Sequence, residues 1–298
     1  MIQFLADGLV NAALIALGAI GISMTYNILR FANFAQGEIL TVGAYFTLLA
    51  MGVLGFGIGT MGPIAFGWPL LLSIAVAIGL TSLVVLIVDW LLFRPLRDKR
   101  ASRITFIMAA FGVSLMGRNT VTLIAGHEPK YFDFYIPKSF ELLPGVRVRP
   151  DDLAIVAIAV IAFVMLFAFM NRTSMGRQMR AVAENPTLAR INGIDVRAVI
   201  RWTWIIGASL ATVAGALLAH NTQLRPEMGF DMLLPMFAAL ILGGANNLYG
   251  TILGAVVVGL TEALAVYVGL SGYRAAVTFM VMIGFLMLRP QGLLGEKE

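Results

Sequence analysis

Apolar runs of about 18 residues or more, the length a helix needs to cross a bilayer, recur along the whole chain. They constrain the fold more than any other feature. Because the runs are continuous rather than alternating, they read as helices and not as strands of a barrel, which would change face at every residue. With 59% hydrophobic and only 12% charged residues, an all-α polytopic membrane bundle is expected, and a water-soluble domain is excluded.

Hydropathy and breaker residues place nine helices near 3–29, 33–56, 70–93, 103–125, 151–171, 199–222, 232–246, 250–268 and 273–289. A single membrane domain covers 1–298. The amino terminus lacks a basic leader region and runs into a full apolar segment, so it is read as a retained first helix.

Basic residues set the orientation. Arg94, Arg97, Lys99, Arg100 and Arg103 lie in one loop, and Arg172, Arg177, Arg180, Arg190, Arg197 and Arg201 in another. With Arg30, Arg289 and Lys297 they outnumber Lys130, Lys138, Arg147, Arg149, Arg225 and Arg274 on the other side. The positive-inside rule then predicts an outer amino terminus and a cytoplasmic carboxyl terminus. The net charge of +5 is therefore a matter of topology and carries no nucleic-acid reading.

The outer loop 126–150 is expected to be a small ordered cap with Tyr131, Phe132, Phe134 and Tyr135 near the interface. The cytoplasmic segment 172–198 carries turn chemistry. Asn185-Pro186 should stop one short helix and start another. Gly193 should end the second in a left-handed conformation, and Asp195 should cap the next span.

Chemistry-bearing residues are few. Cysteine is absent, His127 and His220 are far apart, and no phosphate-binding loop motif occurs. No metal, cofactor or catalytic set is expected, and the chain is read as a non-enzyme. Within "RFANFAQGEILTVGAYF", Asn33, Gln36 and Glu38 fall inside six positions, and Glu38 is placed toward the hydrocarbon core. There a carboxylate costs about 3 kcal/mol unless paired or hydrated, so it should face the bundle interior or a solute path, with a hydrated place at the inner interface as the alternative. Asn33, Gln36, Arg118 and Asn246 are candidate partners.

The seventh segment, about 21 Å long from Met232 to Ala245 at the helical rise, is too short to span upright and is expected to be interrupted or re-entrant around Gly243 and Gly244. Glu262 raises the same question as Glu38. Arg118 has a snorkelling alternative, Asp7 and Asp89 are read as solvated, and His220 as a solvated helix end or a receptor-facing group.

"GRQMRAVAENPTLARINGID", "LRFANFAQGEILTVGAY" and "LILGGANNLYGTILGA" together resemble the branched-chain amino acid permease family of ABC importers, in matching order over nearly the whole chain. The likeness is to the shorter of that family's two membrane subunits, in the bacterial inner membrane. It implies a homologous second permease chain, two ATPase subunits that bind the ATP, and an extracytoplasmic substrate-binding protein, all within a membrane of lipid. The match carries Gly176, Arg180, Ala183, Glu184, Asn185, Pro186, Gly193 and Asp195 into the element that couples to the ATPase. From their polarity and glycine breaks within apolar segments, Asn33, Gln36, Glu38, Gly243, Gly244, Asn246, Asn247 and Glu262 are the expected substrate pathway. Where this family often has a further glycine, Asn246-Asn247 stands. Two other readings remain: a permease for urea, short amides or aromatic acids, and a proton-coupled carrier with Glu38 or Glu262 as relay.

Overall fold

The computed structural model describes residues 3–54, 65, 67–132, 139–143, 146–289 and 291–294. Eight helices are long and apolar enough to cross a membrane: α1 (Gln3–Leu29), α2 (Gln36–Leu54), α3 (Trp68–Asp98), α4 (Arg103–Ala125), α5 (Pro150–Arg172), α8 (Val196–Asn221), α10 (Leu248–Tyr267) and α11 (Arg274–Leu288, with the turn Ser271–Tyr273 before it). A shorter apolar helix, α9 (Met228–Gly243), stands between α8 and α10. Two small helices, α6 (Ser174–Glu184) and α7 (Pro186–Ile191), follow α5, and a β-hairpin of β1 (Phe140–Leu143) and β2 (Val146–Val148) precedes it. The nine expected apolar segments are thus all helices. Phe134, Tyr135 and Lys297 lie outside the described residues.

α1 and α8 form the buried axis of the bundle, whereas α4, α5 and α11 present most of their surface outward. An outward apolar surface is what a lipid-embedded helix needs, since hydrocarbon does not penalise it. Between the inner helices, small residues bring backbones together. A methyl group at Gly254 of α10 would stand 2.1 Å from the Ala239 carbonyl oxygen of α9, so that seam closes only over glycine.

Three boundaries differ from expectation, each for a local reason. The second helix begins at Gln36 and not at 33, because Arg30 adopts a left-handed φ of 59° and ends α1. Asn33 therefore lies in a turn, where its side chain accepts from the Ala35 amide at 3.2 Å. The third helix continues past 93 through a wider π turn, Asp89–Phe93, to Asp98. The seventh starts at Met228 and stops at Gly243, with Gly244 at φ 96° turning the chain out of the helix. Its 16 residues give about 24 Å at 1.5 Å per residue, short of the roughly 30 Å hydrocarbon core.

Asp89 is not solvated. It is 6% exposed, accepts two hydrogen bonds from Arg97 at 2.7 and 2.9 Å, and takes a third from the Trp204 indole at 2.7 Å. The pair bolts α3 to α8 just below a stack of Phe31, Phe93, Phe106 and Trp204. His220 is also corrected: its side chain is 6% exposed and its Nε2 sits 3.2 Å from Asp151 Oδ2. Helix α8 is fastened there to α5, an interior contact and not a docking face. Arg149 adds a clasp to Asp152 and to Asn221, and the Asp152 hydrogen bond pushes the guanidinium pKa above its ordinary value. The segment after α4 is tied to the lead-in of α9 by paired backbone bonds between Lys130 and Leu224 at 2.9 and 2.8 Å.

Candidate functional site: a two-helix lever and a mid-bundle helix junction

The segment between α5 and α8 builds itself from its capping residues. Thr173 accepts from the Gly176 amide at 3.0 Å and starts α6. Asn185 ends α6 and accepts from both Thr187 and Leu188 amides at 3.0 Å, so it caps α7, whose first residue is Pro186. Gly193 has φ 80°, and Asp195 caps α8 through Arg197 and Ala198 at 2.9 and 3.2 Å. Side-chain caps at Thr173, Asn185 and Asp195 take up backbone donors at each of these breaks, which makes the segment a formed element and not a linker.

This element is also fastened to the spans above it. Gly176 packs against the Met170 backbone, and a Cβ there would sit 2.3 Å from the Met170 carbonyl oxygen. The Arg180 guanidinium donates to that same carbonyl and to Asn171 at 3.2 Å. Arg30, at the turn that ends α1, donates to the Ala183 carbonyl in the last turn of α6. A lysine or arginine at a helix carboxyl end meets carbonyls that have no partner in the helix. The carboxyl end of α6 is therefore joined directly to the α1–α2 connection.

Arg30, Arg180, Ala183 and Glu184 line a cavity of about 550 Å³ together with Asn246, Asn247 and Tyr249. The structure thus separates the residues expected along a path. Asn246 and Asn247 belong at this basic end, where Asn247 caps α10 through Tyr249 and Gly250 and donates to the Leu294 carbonyl. Gly243 and Gly244 are there too, since Leu293 and Leu294 donate to the Leu242 and Gly243 carbonyls. Asn246 is consequently not a partner of Glu38. Glu262 is buried on α10 and shares no hydrogen bond, ion pair or cavity wall with Glu38 among the described residues.

The other cluster lies deep in the bundle. Asn33, Gln36 and Glu38 are each at most 3% exposed. The Gln36 amide donates to the Gly207 carbonyl at 3.2 Å, midway along α8, and Glu38 Oε1 accepts from Ser114 at 3.5 Å, midway along α4. So α2 begins near the middle of the bundle, with Gln36 and Glu38 in its first turn and Asn33 in the turn just before it. The first turn of α9 meets it there. Gly37 and Gly229 touch backbone to backbone, a methyl group at Gly229 would lie 1.9 Å from the Gly37 carbonyl oxygen, and the Gly229 amide is capped by Thr41 at 3.0 Å. Sequence reasoning pointed to Gly37 as an interruption of the second segment but missed Gly229, Thr41 and Ser114. Phe34 joins the junction to Phe237 of α9 and Phe111 of α4, with ring centroids 5.0 and 6.4 Å apart.

Residues 4–288 match the family model described as the branched-chain amino acid transport system permease component. The chain belongs to that permease family. It is 31% identical to the high-affinity branched-chain amino acid transport system permease protein BraD of Pseudomonas aeruginosa, over 100% of this chain and 96% of the relative. The corresponding LivH protein of Escherichia coli K12 is 30% identical with the same coverage. A LivH protein of Methanocaldococcus jannaschii is 26% identical over 98% and 92%. Among solved structures, PsaBC from Streptococcus pneumoniae in complex with Fab matches with a TM-score of 0.52 at 12% identity, covering 97% of this chain and 93% of that one. An inward-facing metal-chelate type ABC transporter matches at 0.51 and 15%, covering 96% and 85%. The fold is that of an ABC transporter membrane subunit, and this permease is a multi-pass membrane protein of that class.

Proposed function

We propose that this permease forms the translocation path of an ABC importer for branched-chain or other hydrophobic amino acids. The carrying observation is the capped α6–α7 element, gripped by Arg180 and Arg30 to the ends of α5 and α1. A chain with no phosphate-binding loop has to borrow its energy, and a stiff protrusion tied to two spans is the part through which an engine can act. Two ATPase subunits would seat on Glu184, Asn185 and Pro186 from the cytoplasm, a homologous permease would complete the path, and an extracytoplasmic binding protein would deliver the solute. In this reading α1 begins at the outer face, the carboxyl terminus is cytoplasmic, and the membrane is the bacterial inner one. The substrate-class reading draws on the relatives, whose names are those of branched-chain amino acid transport proteins.

The test is reconstitution of the permease pair with its ATPases and receptor in proteoliposomes. L-leucine uptake should require all components and ATP, and excess urea should leave it unchanged. Uptake by this chain alone under a proton gradient would replace the importer reading with a carrier.

A further inference from the structure

The outward faces of α4 and α5 are built for different surroundings. On α5 the outward residues from Leu153 to Ala168, such as Val160 and Val164, are apolar, as hydrocarbon requires. On α4 the same kind of outward stripe runs through Phe111 and Leu115 and then reaches Asn119, which is exposed and, among the described residues, donates only to the Leu115 carbonyl at 2.7 Å. Arg118 lies beside it. An arginine and an amide at one depth of a lipid-facing helix are costly, and such groups mark solute paths or protein contacts.

Arg118 is about 10 Å below the end of α4 at the helical rise, within reach of the interface for a long side chain. It does not extend that way. Its guanidinium lies over the Phe230 ring in the first turn of α9, 4.7 Å from the centroid. Among the described residues it has no hydrogen bond and no ion pair. The acids around it, Asp231 and Glu38, form no ion pair with it. Asp231 pairs with Arg225 at 3.5 Å, and Glu38 meets α4 at Ser114, four residues before Arg118 on the same face, and beside Gly117, near enough to act on Arg118 through its charge, with its Oε2 left without a hydrogen-bond partner.

We propose that Arg118, held on Phe230 about two helical turns along α4 and α9 from the packed Phe34, Phe111 and Phe237 rings, receives the carboxylate of the amino-acid solute as it passes. This inference rests on the importer reading and names the group that meets the solute. A guanidinium offers a planar fork of donors that matches a carboxylate, and the three phenylalanines supply an apolar seat for an aliphatic side chain. Glu38 beside Ser114 stands close to Arg118 and, when ionised, competes with the solute's carboxylate for it. A transport site has to bind well enough to accept the solute and weakly enough to release it.

The chain has no cysteine, so a single introduced thiol reports cleanly. In the assembled importer, Asn119→Cys should be modified by a charged, water-soluble thiosulfonate. Saturating L-leucine should slow that reaction severalfold, because the bound solute covers the thiol. Leucinamide, which lacks the carboxylate, should not slow it, and adding Arg118→Ala should remove the protection by L-leucine while Arg118→Lys keeps part of it. Modification by lipid-soluble reagents only would mean a lipid face, where a phospholipid phosphate is the anion. Equal protection by leucinamide, or none by either, would mean that an acid of the second permease holds Arg118. Each result overturns the assignment. Leucine uptake measured in the same vesicles tests the importer reading separately: uptake without protection removes only the Arg118 assignment, and protection without uptake removes only the transport reading.

Discussion

At the scale of single residues, the strongest local commitments are polar groups sealed inside the apolar bundle. Asp89 is tied at once to Arg97 and Trp204, and removing the carboxylate would leave a partly buried guanidinium and an indole N–H without acceptors. Asp89→Ala should destabilise the detergent-solubilised permease by about 3 kcal/mol, as breaking buried pairs does, and Asp89→Asn, which still accepts from Trp204, by less. Thermal unfolding of the two variants beside the parent chain measures both. A loss no larger than that of an exposed substitution would show that the pair contributes little. None of this pairing was legible in the sequence. Asp89 stood near the end of an apolar run and read as solvated, because its indole partner is 115 positions away. His220 misled for the same reason, since Asp151 reaches it from another span. Single side chains in a membrane chain are read by hydropathy, and hydropathy is blind to partners that arrive through folding.

At the scale of elements, the spans themselves were legible, since length and apolar character alone decide whether a helix can cross. The α6–α7 element was legible too, for a different reason: Asn185-Pro186, Gly193 and Asp195 act on their immediate neighbours, and local chemistry survives whatever surrounds it. Asn185→Ala should remove two capping bonds and cost α7 about 1 kcal/mol, seen as faster hydrogen exchange at the Thr187 and Leu188 amides. In the assembled importer the same variant should hydrolyse ATP while importing less L-leucine. Full import with a frayed α7 would count against a lever at this position. The start of α2 was harder to read. The run from Arg30 to Gln36 looks like the beginning of a helix, and only the left-handed turn at Arg30 and the Asn33 turn delay it until the chain is well inside the bundle. That delay brings the first turns of α2 and α9 together at Gly37 and Gly229, an encounter that needs two glycines nearly two hundred positions apart and leaves no periodic trace.

At the scale of the whole molecule, the bundle has two kinds of outward surface, one apolar along α5 from Leu153 to Ala168 and one interrupted along α4 by Asn119, with the half-buried Arg118 next to it. The two should differ in what reaches them. Val164→Cys in reconstituted vesicles should react with a lipid-soluble maleimide and stay inert to a charged reagent; reaction with the charged reagent would place α5 against water or a hydrated seam. The expected path residues separate on the same scale. Asn33, Gln36 and Glu38 gather at mid-depth, whereas Asn246 and Asn247 belong with the lever at the basic end. Sequence could not order them along the membrane normal, because depth follows from where each helix begins.

The closing of α9 carries a consequence for how such a chain is made. Two carbonyls at its end, those of Leu242 and Gly243, take their partners from Leu293 and Leu294, which emerge from the ribosome only after two further helices have been inserted. Until then the exit of α9 is hydrated or borrowed from elsewhere. The basic end of the bundle therefore locks late in biogenesis, after the membrane has already sorted every span.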